Sequence, residues 1–431
     1  MGSLKKVLLV LLVMVVALSL TVNTLAASKV TLRFAWWGNP TRDARTQKVV
    51  EMYMAKNPNV TIETETTGWG GYWDKLATQA AANNLPDIIQ QDYSYITQYA
   101  QKNLLLDLTP YMKSKKIDVT NVSDSFLSGG KVKNRYYGIN AGTNAWCIVY
   151  DPAILKKAGV AAPSPDWTWA DFERLATEIY KKTGVQTMPY STVDPRVLYE
   201  NMVRQTGKSF FGKNGVRLGF TDSKVLVDFY DSQLRLLKAG VLIKPETAFV
   251  TTTPQETPFA KGQSWLEFVW SNQVVAYQAA ANRPVALAVC PKIANSKRPG
   301  TYFKPSMFLS VTRSSANKEE AIKFVNYFLN DIEANKVLLA ERGIPIFPKV
   351  RDVLKDMVDP VNRQVFDYIS LVGKGYVSPI DPADPPGAGE VLKAFRNIDQ
   401  EVLYGSTAPK DAAVKFMKQA NEILAKNKTA Q

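Results

Sequence analysis

"KVTLRFAWWGNPTRDARTQKVVEMYMAKNPNVTIETETT", residues 29–67, holds a complete strand–helix–strand unit. Residues 29–37 read as a strand running into the turn signal Gly38-Asn39-Pro40. Residues 40–58 read as an amphipathic helix stopped at Asn57-Pro58, and residues 59–67 as a second strand by strict alternation. "GYWDKLATQAAANN" (71–84) continues as a helix, and "LPDIIQQD" (85–92) as a short strand of the buried parallel type. This βαβα order implies an open α/β sheet with helices on both faces. The unit also poses a question. Neighbouring side chains on a strand point to opposite faces, so at most one of Trp36 and Trp37 can face a given core.

Working outward, a second α/β run begins at "GINAGTNAWCIVYDP" (138–152) and continues through "DWTWADFERLATEIYKKTG" (166–184). There Thr168 is a good N-cap with Asp171 three residues on, and Gly184 ends the helix. Trp167 and Trp169 are expected to pack their own helix start. A strand returns at "MFLSVTR" (307–313), followed by one long helix over 317–341. The last third reads as mostly helical, broken by the Pro/Gly-rich loop "DPADPPGAG" (381–389).

Residues 1–27 read as a secretory signal: Lys5-Lys6, the apolar run Val7–Leu20, then small residues at Thr24-Leu25-Ala26-Ala27. The run is shorter than the roughly 20 residues of a spanning helix. No cysteine lies near the cleavage site, so a lipid-anchored N-terminus is not expected and the mature protein reads as soluble and exported. The remaining chain is too long for one comfortable core and suggests two lobes. The formal charge of +14 becomes +12 without Lys5 and Lys6, leaving 51 basic against 39 acidic residues. The basic residues are dispersed rather than in blocks, which argues against a nucleic-acid partner. Cys147 and Cys290 lie in apolar, strand-like stretches, and buried free thiols are the expected state, although export permits a disulfide.

The chain has no histidine, which removes Ser-His-Asp and Cys-His catalysis and the common zinc sites. "GWGG" (68–71) lacks the Lys-Ser/Thr of a phosphate-cradling loop. No metal or cofactor is expected, and two-carboxylate chemistry stays open. What stands out is aromatics beside turns: Trp36 and Trp37 before Gly38, Trp69 and Trp73 around Gly70-Gly71, and Asp92-Tyr93 after the strand at 88–91. In open α/β sheets the ligand crevice lies beyond the carboxyl ends of the strands, where flat rings and nearby oxygens suit a sugar. Asn144 and Trp146 at the start of the second run, and Glu267 and Trp270 in "KGQSWLEFVWSNQ" (261–273), join the candidates. Asp194-Pro195-Arg196 is a turn signal able to present a charge to ligand.

Several ordered segments resemble the extracellular solute-binding proteins of carbohydrate ABC importers, in the maltose-binding-protein-like group. They are "LPDIIQQDYSYITQYAQKNLLLDLTPYM" (85–112), "RYYGINAGTNAWCIVYDPAILKKAGV" (135–160), "APSPDWTWADFERLATEI" (162–179), "FAKGQSWLEF" (259–268), "FLSVTRSSANKEEAIKFVNYFL" (308–329) and "ERGIPIFPKVRD" (341–352). The resemblance implies a two-lobed periplasmic-binding-protein fold, each lobe an open α/β sheet flanked by helices and the lobes joined by hinge crossings. It implies an N-terminal lobe of 28–140 and 304–350 and a C-terminal lobe of 141–303 and 351–431, crossing near 141–144 and 302–306. The family's ligand-loop Asp falls on Asp92, its first-strand-end contact on Trp36-Trp37, and its stacking aromatic near Trp270. The implied protein is a diffusible periplasmic monomer, not an enzyme, that captures an oligosaccharide and delivers it to a membrane ABC permease; the lipobox cysteine of some members is absent here. A neutral plant-cell-wall type is favoured over a uronic, pectin-derived one, and a secreted glycosidase or lyase is the rival of another class.

Overall fold

The computed structural model describes residues 29–38, 40–188, 195–249 and 253–429. The leader at 1–27 and Asp194 lie outside the described residues. Among those residues no helix is long and apolar enough to cross a membrane.

The opening unit folds as its pattern predicts. β1 (Val30–Trp37) leads into α1 (Pro40–Lys56), which buries Thr46, Val49, Val50 and Tyr53 on one helical face. β2 (Val60–Thr67), α2 (Trp69–Ala81) and β3 (Ile88–Gln91) follow. β1 pairs in parallel with both β2 and β3, so the carboxyl ends of β1 and β3 open on the same edge. α3 (Tyr93–Gln101) starts directly beyond β3.

β4 (Ile139–Tyr150) pairs with different strands along its length. Its residues Ile139–Ala145 pair antiparallel with β7 (Phe303–Val311), with register shifts on either side of Gly142. Its residues Trp146–Tyr150 instead pair with β5 (Leu266–Trp270), and Ile148–Tyr150 also with β6 (Ala286–Ala288). β7 in turn pairs with β3 through Phe308–Val311, completing the order β2-β1-β3-β7-β4-β5. One core cluster runs under β1–β3 and β7, and a second lies on β4–β6 beneath α4 (Trp169–Thr183), α5 (Pro195–Gln205), α8 (Ala388–Leu403) and α9 (Pro409–Ala425). α6 (Lys318–Asn330) and α7 (Pro360–Val372) cover the first.

The Thr168–Asp171 capping box forms, with both reciprocal hydrogen bonds, and Gly184 takes the left-handed position at the helix end. Trp167 is buried, its indole donating to the Val289 carbonyl at 2.7 Å. Cys147 and Cys290 are free and buried. One expectation changes: the single helix at 317–341 is two, because Asp331 leaves the helical conformation and caps Ile332–Leu338, accepting from the Ala334 N–H.

Candidate functional site

The Trp36-Trp37 question resolves because the sheet is covered on both faces. Trp36 is 1% exposed and packs against Phe34, and its indole N–H donates to Asp43 Oδ1 at 2.7 Å. That corrects its assignment to a ligand rim: the α1 acid, not a ligand, satisfies its polar edge. Trp37 faces the other way into a third, smaller core with Tyr72 and Trp73. Its burial, too, removes it from the cavities described below.

Trp73 is likewise interior, stacked on Tyr95 at 3.7 Å between ring centroids. Trp69, 47% exposed, is the outermost ring of this cluster, standing edge-on to Trp37 at 5.0 Å. It is the ring of this cluster most open to solvent but lines none of the cavities below. Asp92 is half-buried and caps α3, its Oδ1 accepting from the Ser94 N–H at 2.8 Å. This helix-start duty accounts for an aspartate at that position.

On the other side, Trp146 and Trp270 are register partners on β4 and β5, their rings edge-to-face at 5.1 Å. Trp146, 1% exposed, is core, which corrects its reading as a ligand contact. Trp270 is half-buried and forms the wall of a cavity of 240 Å³. Tyr302 stands edge-on to it at 5.9 Å, and the Lys304 ammonium sits 4.7 Å from its ring centroid. Tyr93 and Ser94 at the start of α3 face the same cavity, as do Arg196 and Glu200 of α5 and Asp381 and Asp384 of the Pro-rich loop. A wider cavity of 630 Å³ shares Ser94, Glu200, Asp381 and Asp384 and extends along Gln98 and Phe211.

The charges are arranged in pairs. Arg204 is fully buried; its Nη1 lies 2.7 Å from Asp381 Oδ1, which also meets Arg298 at 3.3 Å. Arg196 Nη1 meets Asp384 at 2.8 Å, with Glu200 4.0 Å from the same guanidinium. Burial pushes the Glu200 carboxyl up to about 7, against the pull of Arg196. Burial also raises the phenols of Tyr93 and Tyr302, which stay protonated hydrogen-bond donors. Lys304 has no ion-pair partner among the described residues beyond the Trp270 face.

Two expectations fall elsewhere. Asn144 lines a separate cavity of 530 Å³ with Arg45, Asn272, Glu341 and Asp359. Glu267 is 0% exposed on β5, with Oε1 accepting from the Phe268 N–H at 3.0 Å. It lines none of the cavities described here, because both faces of β5 are covered over Leu266–Val269, and that corrects its reading as a ligand contact. Of the ten sequence candidates, the structure brings Tyr93 and Trp270 together in one cavity. Glu200, Tyr302, Lys304, Asp381 and Asp384 escaped the sequence reading. The loop at 381–389 was legible as a loop, but no local signal tied its acids to arginines about 80 to 190 positions earlier. No group of acids or thiols among the described residues is arranged to hold a metal ion.

Residues 48–363 match the family model of bacterial extracellular solute-binding proteins. The chain is 31% identical to an extracellular solute-binding protein of family 1 from Alicyclobacillus acidocaldarius, covering 93% of this chain and 100% of that one with a TM-score of 0.86. A periplasmic oligogalacturonide binding protein from Yersinia enterocolitica shares the fold at 21% identity and a TM-score of 0.76, over 92% of this chain and 99% of that one. An uncharacterized lipoprotein of Streptomyces antibioticus is 23% identical over 337 residues, 74% of this chain and 71% of its own.

Proposed function

This chain belongs to the family of bacterial extracellular solute-binding proteins, and on that premise we propose that it captures an oligosaccharide in the cavity beside Trp270 and hands it to a membrane ABC permease. The carrying observation is the composition of that cavity: a half-exposed indole flanked by two tyrosines, with paired charged groups around it. A flat ring takes the apolar face of a sugar, while Ser94, Tyr93 and the arginine–carboxylate pairs take its hydroxyls. The lobes are proposed to be 28–140 with 304–350 and 141–303 with 351–431, hinged at β4 and β7. Support for the hinge comes from β4, which changes sheet partner between Ala145 and Trp146 a few residues after its irregular pairing at Gly142.

Binding proceeds by population shift. Ligand held by one lobe gains contacts from the other only when the lobes close, and near-complete closure needs a preference of about 5.5 kcal/mol. A stacked ring and a few buried hydrogen bonds supply that order of energy. A neutral oligosaccharide fits the paired charges, which leave little net field in the cavity. A second reading, a uronic oligosaccharide, is supported by Lys304, whose ammonium stands over Trp270 with no carboxylate partner among the described residues. The Yersinia relative named above binds an acidic oligosaccharide of this class.

Calorimetry against cellotriose, xylotriose and trigalacturonate, with small-angle scattering on the same mixtures, tests the reading. One of the sugars is expected to bind, with a smaller radius of gyration and a shift in Trp emission. A saturating sugar that moves neither quantity sinks the closure model. Sugar turnover abolished by Glu200→Gln would instead favour the glycosidase, since burial pushes the Glu200 carboxyl up to about 7 and Asp381 and Asp384 line the same cavity.

A further inference from the structure

We propose that Arg204 is a positioning residue of the sugar site, fixing Tyr302 and residues 378–381 as two walls of the cavity beside Trp270. The inference rests on the sugar reading above and adds what holds that site in shape. Arg204 itself lines neither the 240 nor the 630 Å³ cavity. On α5, Asn201, Arg204 and Gln205 stand three and four positions apart, so they share one helical face, and all three are buried. That face grips the chain leading into β7. Asn201 Nδ2 donates to Thr301 Oγ1 at 3.1 Å, Gln205 Nε2 to the Pro291 carbonyl at 3.2 Å, and Arg204 Nε to the Gly300 carbonyl at 2.8 Å. A Cβ on Gly300 would lie 2.2 Å from the Asn201 carbonyl oxygen, so the two segments meet backbone against backbone.

The rest of the Arg204 guanidinium is divided between the two walls. Its central carbon lies 4.8 Å from the centroid of the Tyr302 ring, the ring that stands edge-on to Trp270. Its Nη2 donates to Ser378 Oγ and to the Pro379 carbonyl, each at 2.8 Å, and its Nη1 lies 2.7 Å from Asp381 Oδ1. All these partners belong to the proposed second lobe, 141–303 with 351–431, so the arrangement does not depend on how far apart the lobes stand. A packing role alone would suit an apolar side chain, which avoids desolvating a cation. What an apolar side chain lacks is the planar fork, whose fixed angles hold several oxygens at once. Here the fork ties the Tyr302 wall to the 378–381 wall and sets the gap into which a sugar ring fits beside Trp270.

The test is a double-variant cycle on sugar affinity, measured by calorimetry with cellotriose, xylotriose and trigalacturonate. Arg204→Lys keeps the charge and loses the fork, and Tyr302→Leu removes the ring that the guanidinium faces. Each alone is expected to weaken the sugar that binds by about tenfold. Together their loss is expected to fall short of the product by about fivefold, because Arg204 acts in part through Tyr302. A purely structural arginine would lower stability in urea but leave the two affinity losses multiplicative. Ser378→Ala removes one acceptor of Nη2 and lines neither cavity; it replaces Arg204→Lys if that variant does not fold, with a loss of about threefold and a shortfall of the same sign. Multiplicative losses, or no loss in Arg204→Lys, overturn the assignment while the cavity reading stands. If neither Tyr302→Leu nor Trp270→Ala weakens a sugar that binds, or if none of the three sugars binds, the cavity reading falls and the assignment with it.

Discussion

Replacing Glu267 by Gln should make the protein more stable at alkaline pH and hardly change it near pH 5. Glu267 is wholly buried on β5; the Phe268 N–H satisfies one carboxyl oxygen, and the other has no hydrogen-bond partner among the described residues. Burial pushes its carboxyl up to about 8, against an ordinary value of 4.5. The folded protein therefore keeps this proton over a window in which the unfolded chain has released it. Relative to an ordinary glutamate, the stabilising proton is fully present below about 4.5 and lost as pH climbs through 8. Each pH unit in that window costs about 1.4 kcal/mol, for a total on the order of 5 kcal/mol.

Gln has the same shape, accepts the same N–H and cannot ionise, so the variant escapes this loss. Urea unfolding of both proteins from pH 4 to 9, followed by far-UV circular dichroism and by Trp emission, measures the difference directly. Coincidence of the two probes secures the two-state treatment. The variant-minus-wild-type stability should rise at about 1.4 kcal/mol per unit and level off near pH 8. The buried acids Asp399 and Glu200, both pushed up to about 7, act in the same direction in both proteins and cancel in the difference. A flat difference would refute the reasoning. Sugar affinity should be unaffected, because Glu267 does not line the cavity beside Trp270.

Trp270→Ala should weaken sugar binding by roughly 10- to 100-fold in calorimetry, whereas Trp36→Phe should leave affinity alone and cost about 1–2 kcal/mol of stability through the lost bond to Asp43. Lys304→Gln should lower affinity for trigalacturonate about tenfold with no effect on cellotriose; equal loss for both would remove the uronate reading. Gly142→Ala should destabilise by about 2–4 kcal/mol in the same urea assay, since the added Cβ would lie 2.0 Å from the Arg342 carbonyl oxygen. Both thiols should resist a thiol reagent in the folded protein and react together in denaturant, as Cys147 and Cys290 are free and buried.

The alternation of strands and helices, the Thr168 cap and the inward face of α1 were all legible in the sequence, because each depends on residues within a few positions of one another. The family resemblance was legible too, since it lies in the order of local segments. The sequence could also state that Trp36 and Trp37 face opposite ways. Only the tertiary structure decided that both directions lead into packed interior, since that depends on Tyr72, Trp73 and the α1 acid Asp43 arriving from elsewhere. The same holds for the cavity. Tyr93, Trp270, Lys304 and Asp381 are far apart along the chain, and strand crossings together with ion pairs between distant segments, not any spacing pattern, bring them to one place.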